Sequence, residues 1–557
     1  MKKLLLLFFM VPFIAQAQSW QWGRQSRDNF AGDYSYAADI DVHGNVFITG
    51  FFENTFIVFG TDTLQNAAGN DDVYLVKYDA MGNMLWARSP LSNGNAGANG
   101  ESTDTAGNVY IAGSFSSNGV PGRLIFGADT LTAGTGTNYE TDLFVAKYDG
   151  AGNVLWAKTA LTTDTSYVTA SGAKTDRAGN VYVTGFFQSK MLVFGNDTLL
   201  NASDTGYDAY LVKYDATGNV VWAKQSSNGN LNNYGGLVTT DAAGNVYWAG
   251  NNPGPGLVIG THSFLDTGIY IVKYSPAGNM LRAIGIANTN ASVSGIAIDA
   301  SGNLILCGSF TDTFIIHTDT LIDITPVAPP GYTNSFVVKT DSTGAALWAK
   351  KMLGYNSART VTVDAAGSVY VLGYFDECWL GNYMVAGNDT LHTAGGYDTY
   401  LVKYNNSGNA LWAASAGGTG DDWPGGLAVD STGSDIYVSG YFNSPTMMIS
   451  GDALYANGQR DVYIARFNPL MTVGVGSLNG AGKNISVYPN PATTMLHVAS
   501  PNAINEVSIT NLLGQRIETS PDLSLGAEVI SIDVSGLPAG IYFVKVNGSE
   551  VRKFLKD

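Results

Sequence analysis

Apolar residues along this chain fall into short runs of strand length, cut by Asp, Gly and Asn. The stretch 236–282 shows the unit: Gly236–Thr240, Asn245–Gly250, Ile269–Tyr274 and Asn279–Arg282, which we label strands A to D. Runs of this length, rich in Val, Ile, Tyr and Trp and bounded by turn residues, predict strands rather than helices. The A–B segment recurs at Asp41–Gly50, Asp104–Gly113, Asp176–Gly185, Asp241–Gly250, Asp299–Gly308, Asp364–Gly373 and Asp430–Gly440. A second phrase follows each, clearest as Tyr210-Leu-Val-Lys-Tyr-Asp-Ala-Thr-Gly-Asn-Val-Val-Trp-Ala-Lys224. A self-similar unit of this kind buries its apolar face against its neighbours, so the repeat determines the architecture.

The A–B turn reads Asp-x-x-Gly-Asn, and so does the C–D turn at Asp79–Asn83, Asp149–Asn153 and Asp215–Asn219. Asp accepts from backbone amides a few residues on, while Gly and Asn tolerate positive φ, so both are tight hairpins. The Asp is a turn former first; a calcium loop needs further oxygen ligands that this turn lacks. Six tryptophans, Trp22, Trp86, Trp156, Trp222, Trp348 and Trp412, share one point of strand D, and Arg282 replaces Trp in the fourth copy. The seventh copy lacks its own strand D. Ser19–Ser26 aligns with Val220–Ser226 and is expected to supply it, closing the ring and removing a sheet edge. The fold class is therefore all-β: a seven-bladed β-propeller closed by an N-terminal strand, followed by a small Ig-like β-sandwich. Between B and C each copy inserts a short hairpin, at Phe56–Leu64, Leu124–Leu131, Leu192–Leu199, Leu257–Phe264, Phe314–Leu321, Tyr383–Leu391 and Met447–Leu454.

Residues 1–17 read as a secretory signal, with Lys2-Lys3, an apolar Leu4–Ile14 stretch and Ala15-Gln16-Ala17, placing cleavage between Ala17 and Gln18. No later run is long and apolar enough for a transmembrane helix. The net charge of −17, or −19 once Lys2 and Lys3 leave, repels phosphate backbones, so no nucleic-acid partner is expected. Cys307 and Cys378 are the two cysteines; Cys307 occupies a strand position that suits a small buried side chain, leaving pairing open.

The Tyr-Asp-x-x-Gly-Asn-x-x-Trp phrase resembles the tryptophan-docking repeat of quinoprotein-type propellers, and the A–B hairpin resembles a short bacterial β-propeller repeat. The likeness covers about 19–468 and implies a fold, not an activity. The adjacent cysteine pair of many quinone-dependent dehydrogenases is missing, and no cofactor is expected.

Beyond a linker at 471–483, residues 484–557 differ in wording. They read Ile485-Ser-Val-Tyr-Pro-Asn-Pro-Ala492, Val507–Ile517, Leu537–Val546 and Lys553–Lys556. The Tyr-Pro-Asn-Pro entry (Pro489, Asn490, Pro491), the Gly514 hairpin, the strand from Gly540 through Lys545 and the basic tail with Lys553 and Lys556 resemble the type A C-terminal sorting domain of the type IX secretion system. That resemblance implies passage through the periplasm and across the outer membrane of a Gram-negative cell, with the secretion machinery as partner. The expected domains are thus a signal peptide at 1–17, a propeller at 18–470, the linker at 471–483 and the sorting domain at 484–557. In the same context the Asp-Thr-Leu hairpins resemble O-glycosylation acceptors, with Thr63, Thr130, Thr198, Thr320 and Thr390 the candidates.

Ligands are expected on the face carrying the B–C and D–A connections, because the other face holds near-identical turns. Near the start of strand A three copies carry an aromatic, Tyr34, Tyr234 and Trp423, suited to stacking on a sugar or anchoring a protein. The histidines His43, His262, His317, His392 and His497 form no catalytic or metal-binding spacing, and no catalytic or metal residue is assigned. The acidic pairs Asp71-Asp72 and Asp421-Asp422 read as solvated loop charge. The sequence favours a monomeric, secreted or surface-attached, non-catalytic binding, adhesive or structural module with a glycan or protein ligand. The alternative is an extracellular polysaccharide hydrolase or lyase working at the channel mouth.

Overall fold

The computed structural model describes residues 16–28, 32–66, 70–116, 121–133, 140–162, 167–201, 203, 206–227, 232–287, 290–316, 319–322, 333–376, 383–449, 452–456, 459–472, 486–500, 503–504, 506–511, 516–517, 529–546 and 550–556. Two compact units result, one spanning Ala15–Thr472 and one holding Val473–Asp557. The signal segment 1–15, Gly514 and Cys378 lie outside the described residues. Every regular element described is a strand.

The first unit contains seven antiparallel sheets of the A–D kind, with a hairpin extending the third to six strands. In the first sheet the strands are Asp33–Ile40, Val46–Phe52, Asp72–Tyr78 and Met84–Arg88. Local chemistry sets the hairpins. The Asp41 carboxylate accepts from the amides of His43 and Asn45, each at 2.9 Å, and Gly44 takes φ +81°. Asp79 repeats this with Met81 and Asn83 in the C–D turn. A carboxylate satisfying two turn amides, followed by a residue free to adopt positive φ, fixes strand register on both sides.

The repeat Asp has a second role that turn grammar alone does not announce. Its other oxygen faces the Lys of strand C, and the pair is largely buried: Asp41–Lys77 at 3.1 Å, Asp104–Lys147 at 3.3 Å, Asp241–Lys273 at 3.2 Å, Asp299–Lys339 at 2.7 Å and Asp364–Lys403 at 3.7 Å.

The tryptophans join one sheet to the next. The indole N–H of Trp86 donates to the Gly150 carbonyl at 3.2 Å, Trp156 to Ala216 at 3.2 Å, Trp222 to Pro276 at 3.1 Å and Trp348 to Asn406 at 3.0 Å, each time in the following C–D turn. The turn glycine leaves room for the ring, since a Cβ on Gly408 would sit 2.6 Å from Trp348. In the fourth sheet Arg282 is exposed, and Ile284 lies under Gly344 instead.

The N-terminal strand Gln16–Gln25 pairs antiparallel with Asp461–Thr472 at the edge of the seventh sheet. Trp22 faces Arg466 there as Trp86 faces Lys77, and its N–H reaches the Ala80 carbonyl of the first sheet at 3.2 Å. Ala17 and Gln18, the proposed cleavage pair, fall inside this strand, with Ala17 opposite Met471.

Each copy carries its inserted hairpin, for example Phe56–Phe59 with Asp62–Gln65. The Asp of Asp-Thr-Leu anchors it: Asp129, Asp197 and Asp389 accept the backbone N–H of Ala157, Ala223 and Ala413 in strand D at 2.8, 2.6 and 2.8 Å. Thr63, Thr130, Thr198, Thr320 and Thr390 point outward and are exposed.

In the second unit two antiparallel sheets enclose a core of Leu496, Val498, Ile509, Ile530, Ile532, Val544 and Phe554. The Asn490 side chain bonds the final strand, accepting from Leu555 N at 2.8 Å and donating to the Lys553 carbonyl at 3.4 Å. Pro489 and Pro491 flank it; Gly540 opens the strand containing the exposed Lys545, while Lys553 is exposed and Lys556 buried.

Candidate functional site

The first strands of all seven sheets line one cavity of about 730 Å³. Its charged and polar lining includes Tyr36, Asp39, Glu101, Lys174 and Arg359. Glu101 is buried, and burial followed by the charge of Asp39 pushes its pKa well above the usual range, against a lowering backbone hydrogen bond from Asp39. Tyr36 is raised to about 12 by burial and by Tyr441, against the pull of Arg359. Asp39, in contrast, accepts from the backbone and hydroxyl of Thr103 at 2.8 and 3.2 Å.

At one end of these strands the sequence-predicted aromatics fall into two clusters, and each brings partners that spacing had not singled out. Trp423 lies 4.3 Å from Tyr397 and 4.6 Å from Tyr374 between ring centroids. Tyr34 stacks on Phe51 at 4.6 Å, meets Tyr441 edge-on at 4.9 Å and lies 6.1 Å from Tyr36. The guanidinium of Arg460 covers both Tyr34 and Tyr441, at 5.2 and 5.7 Å, and also hydrogen-bonds the Tyr34 hydroxyl. Trp423 pairs across the sheet with Tyr441, so the sixth, seventh and first sheets share one half-buried aromatic surface. Tyr234, 55% exposed, belongs to a separate group with Phe186 and Tyr207 at 5.0 and 5.5 Å.

The missed partners had a signal in the sequence. Phe51, Phe186, Tyr374 and Tyr441 each follow the last Gly of the A–B segment, and Ser114 and Ser309 hold that position in the second and fifth copies. Ser309 faces Ser292 and Ser114 faces Gly97, so the aromatic lining is interrupted there.

The acidic pairs correct the reading of solvated charge. Asp72 and Asp422 are buried at the starts of strands C and A. Burial, then the charge of Asp71, pushes Asp72 up to about 8. Asp398 and Asp422 are both raised, by burial first, with Asp422 adding to Asp398 and Asp421 adding to Asp422. A third acidic group unites distant chain segments: carboxylate oxygens of Asp28, Asp33 and Asp461 lie within 4.8 Å of one another, and all three residues are buried. Burial, then Asp28 and Asp461, holds Asp33 well above its ordinary value. Cys307 is a free buried thiol pushed up to about 12 by burial. Of the histidines, His43, His262 and His392 are exposed and His497 is half-buried in the C-terminal unit, while His317 lies outside the described residues.

The seven repeated sheets around one cavity define the class of the first unit, and a family match defines that of the second. The first is a β-propeller-type repeat array. Residues 486–556 match the family described as a secretion system C-terminal sorting domain, and the chain therefore carries a type IX sorting tail, the mark of a secreted or cell-surface protein. The array is similar to an uncharacterized WD repeat-containing protein, L264, of Acanthamoeba polyphaga mimivirus: 26% identity over 422 residues, 69% of this chain and 27% of that one. It also resembles the regulatory protein FlaEY of Caulobacter vibrioides, 30% identical over 158 residues, 28% of this chain and 15% of that one. The chain thus spans about a quarter or less of the curated relatives it matches. Among solved structures, the RRP9 WD40 repeats align at 9% identity and TM-score 0.42, covering 82% of this chain and all of that one. A Bacteroides caccae protein of unknown function aligns at 11% and TM-score 0.32, covering 61% and 89%. No helix among the described residues is long and apolar enough to cross a membrane.

Proposed function

We propose that residues 18–470 form a seven-bladed β-propeller closed by its N-terminal strand, joined by a linker at 471–483 to an Ig-like sorting domain at 484–557. In this reading the propeller is a monomeric, non-catalytic binding module of the cell surface or its surroundings. The observation that carries it is the aromatic surface of Trp423, Tyr374, Tyr397, Tyr34 and Tyr441 beneath Arg460. Half-buried rings backed by a rigid sheet offer apolar faces at little entropic cost, and the guanidinium adds a donor beside them. A glycan ring or an exposed protein side chain is the fitting ligand.

Screening the mature chain, 18–557, against glycans and matrix proteins tests this. The expected result is a ligand whose affinity falls at least about tenfold in Trp423→Ala and in Tyr34→Ala, as for central aromatic anchors. Loss of neither affinity refutes this surface as the site.

The polysaccharide hydrolase or lyase reading draws on a different observation, the buried Glu101 carboxyl beside Asp39 in the cavity. A carboxyl that burial holds in its protonated form suits general acid chemistry. Turnover of a polysaccharide by the wild type that Glu101→Gln abolishes would favour it over the binding module. Thr63, Thr130, Thr198, Thr320 and Thr390 are proposed as O-glycosylated in the native host; an intact mass equal to the unmodified chain would dismiss that.

A further inference from the structure

We infer that Asp28, Asp33 and Asp461 form a calcium site that joins the N-terminal segment to the first and seventh sheets. The inference is independent of the ligand proposed for the aromatic surface.

Three chain segments converge here. Asp28 belongs to the connection after the N-terminal strand, Asp33 opens strand A of the first sheet, and Asp461 opens strand C of the seventh. Their carboxylate oxygens lie within 4.8 Å of one another, and their relative exposures are 8%, 0% and 0%. Like charges removed from water at such separation require a compensating cation or proton. The further charge acting on Asp33, that of Glu53, is also negative.

An acidic cluster alone would not establish a site. The second observation is Asp33 itself: fully buried, with Oδ1 lacking a hydrogen-bond partner among the described residues, while among those residues Oδ2 takes only a long bond of 3.4 Å from the Ser26 hydroxyl. The preceding junction also leaves Oδ1 of each matching carboxylate without a partner among the described residues, but there the second oxygen, Oδ2, is well supplied with donors. There Asp422 and Asp398 stand where Asp33 and Asp461 stand here. Asp422 Oδ2 accepts from Gly418 N at 2.6 Å and from Ser444 Oγ at 2.7 Å, and Asp398 accepts from Ala394 N at 2.8 Å. At the first junction the residue matching Ser444 is Asn54, and its amide donates to Asp28 rather than to Asp33. A third carboxylate has entered where a neutral donor stood.

The donor set indicates the ion. All three ligands are hard oxygens, without the imidazole or thiolate that zinc and copper select. Calcium accepts mono- or bidentate carboxylates at irregular angles and completes its six to eight ligands with water or carbonyls, whereas magnesium demands a near-ideal octahedron. An ion held here binds both ends of the repeat array at once, so its effect is read as stability.

Calorimetric titration of the metal-stripped mature chain with CaCl2 should give one ion per chain. Thermal melting should show a Tm several degrees higher in about 1 mM CaCl2 than in EGTA, because a ligand bound only by the native state stabilises it. Asp33→Asn should abolish that shift and, in EGTA, melt no lower than the wild type, since it removes a crowded charge. Asp28→Asn, at the margin of the cluster, should weaken calcium at least tenfold, and it decides the matter should Asp33→Asn fail to fold. No heat of binding in the wild type, equal melting in CaCl2 and EGTA, or a calcium shift retained in either variant would overturn the assignment.

Discussion

Lys339 and Asp299 form an ion pair at 2.7 Å, with side chains 2% and 4% exposed. The amides of Ser301 and Asn303 bind the same carboxylate, each at 2.9 Å. Asp299 is therefore both the turn former of strands A and B and the counter-ion of strand C. Asp299→Asn keeps an oxygen for the turn amides but removes the counter-ion, leaving the buried ammonium on the neutral Asn406 side chain. The expected loss is on the order of 3 kcal/mol in denaturant unfolding, because removing one member of a buried pair strands the other. A loss under about 0.5 kcal/mol would mean that the pair contributes nothing beyond the turn.

That dual role shows how far the sequence could be read. Asp-x-x-Gly-Asn announces its hairpin because the bonds are local, spanning four residues. The Lys of Tyr-x-Val-Lys carries no such mark, since only strand pairing brings it under a turn some 35 residues away, as for Asp41 and Lys77. The aromatic surface was half legible. Tyr34 and Trp423 stood out by position, whereas Phe51, Tyr374 and Tyr441 sat inside strand B, where an apolar ring looks like core. Asp28, Asp33 and Asp461 were not legible at all, because their meeting depends on a contact between the two ends of the array. Asp72 and Asp422 were misread for a related reason: polarity at a strand start suggested solvent, but both residues are buried.

Two opposed groups of carboxylates set the response to acid. For Asp41, Asp104, Asp241 and Asp299, burial acts upward, but hydrogen bonds from the turn and the Lys ammonium outweigh it and leave the pKa below 3.8. Their stabilisation is present above the ordinary Asp value and is lost as pH falls through the lowered folded value. Asp72, at about 8, and Asp398 and Asp422, also raised, act in the other direction. The folded state holds their protons more tightly than the unfolded chain does, so stability declines as pH rises from about 4 to 8. Tm should peak in mildly acid buffer and drop on both sides, and Asp72→Asn should flatten the upper limb. A Tm that rises steadily from pH 5 to 8 would contradict these assignments.

Gly408 and Gly302 both adopt left-handed backbone, at φ +79° and +82°, yet differ in surroundings. A Cβ on Gly408 would lie 2.6 Å from the Trp348 ring, whereas at Gly302 no atom comes within 4 Å. Alanine at Gly302 should cost only the backbone term, about 1–2 kcal/mol. Alanine at Gly408 should cost that and about 1–3 kcal/mol more for overpacking against the indole. Equal losses in thermal or urea unfolding would show that tryptophan docking does not depend on the bare turn.

Deleting residues 484–557 removes the unit that contains the sorting match at 486–556. The truncated chain should accumulate in the periplasm, detected by fractionation and by protease protection in intact cells. Normal appearance at the surface or in the medium would separate delivery from that unit.

Pairing of Gln16–Gln25 with Asp461–Thr472 has a kinetic consequence. The last sheet draws its outer strand from the opposite end of the array, so no length of partly translocated chain can complete it. Until both ends have emerged, Asp461–Thr472 presents unpaired backbone donors and acceptors, the kind of open edge that recruits foreign strands. The entropic penalty of joining ends so distant grows only slowly with loop length. The order in which the two segments arrive, rather than the length between them, therefore sets how long that edge stays open.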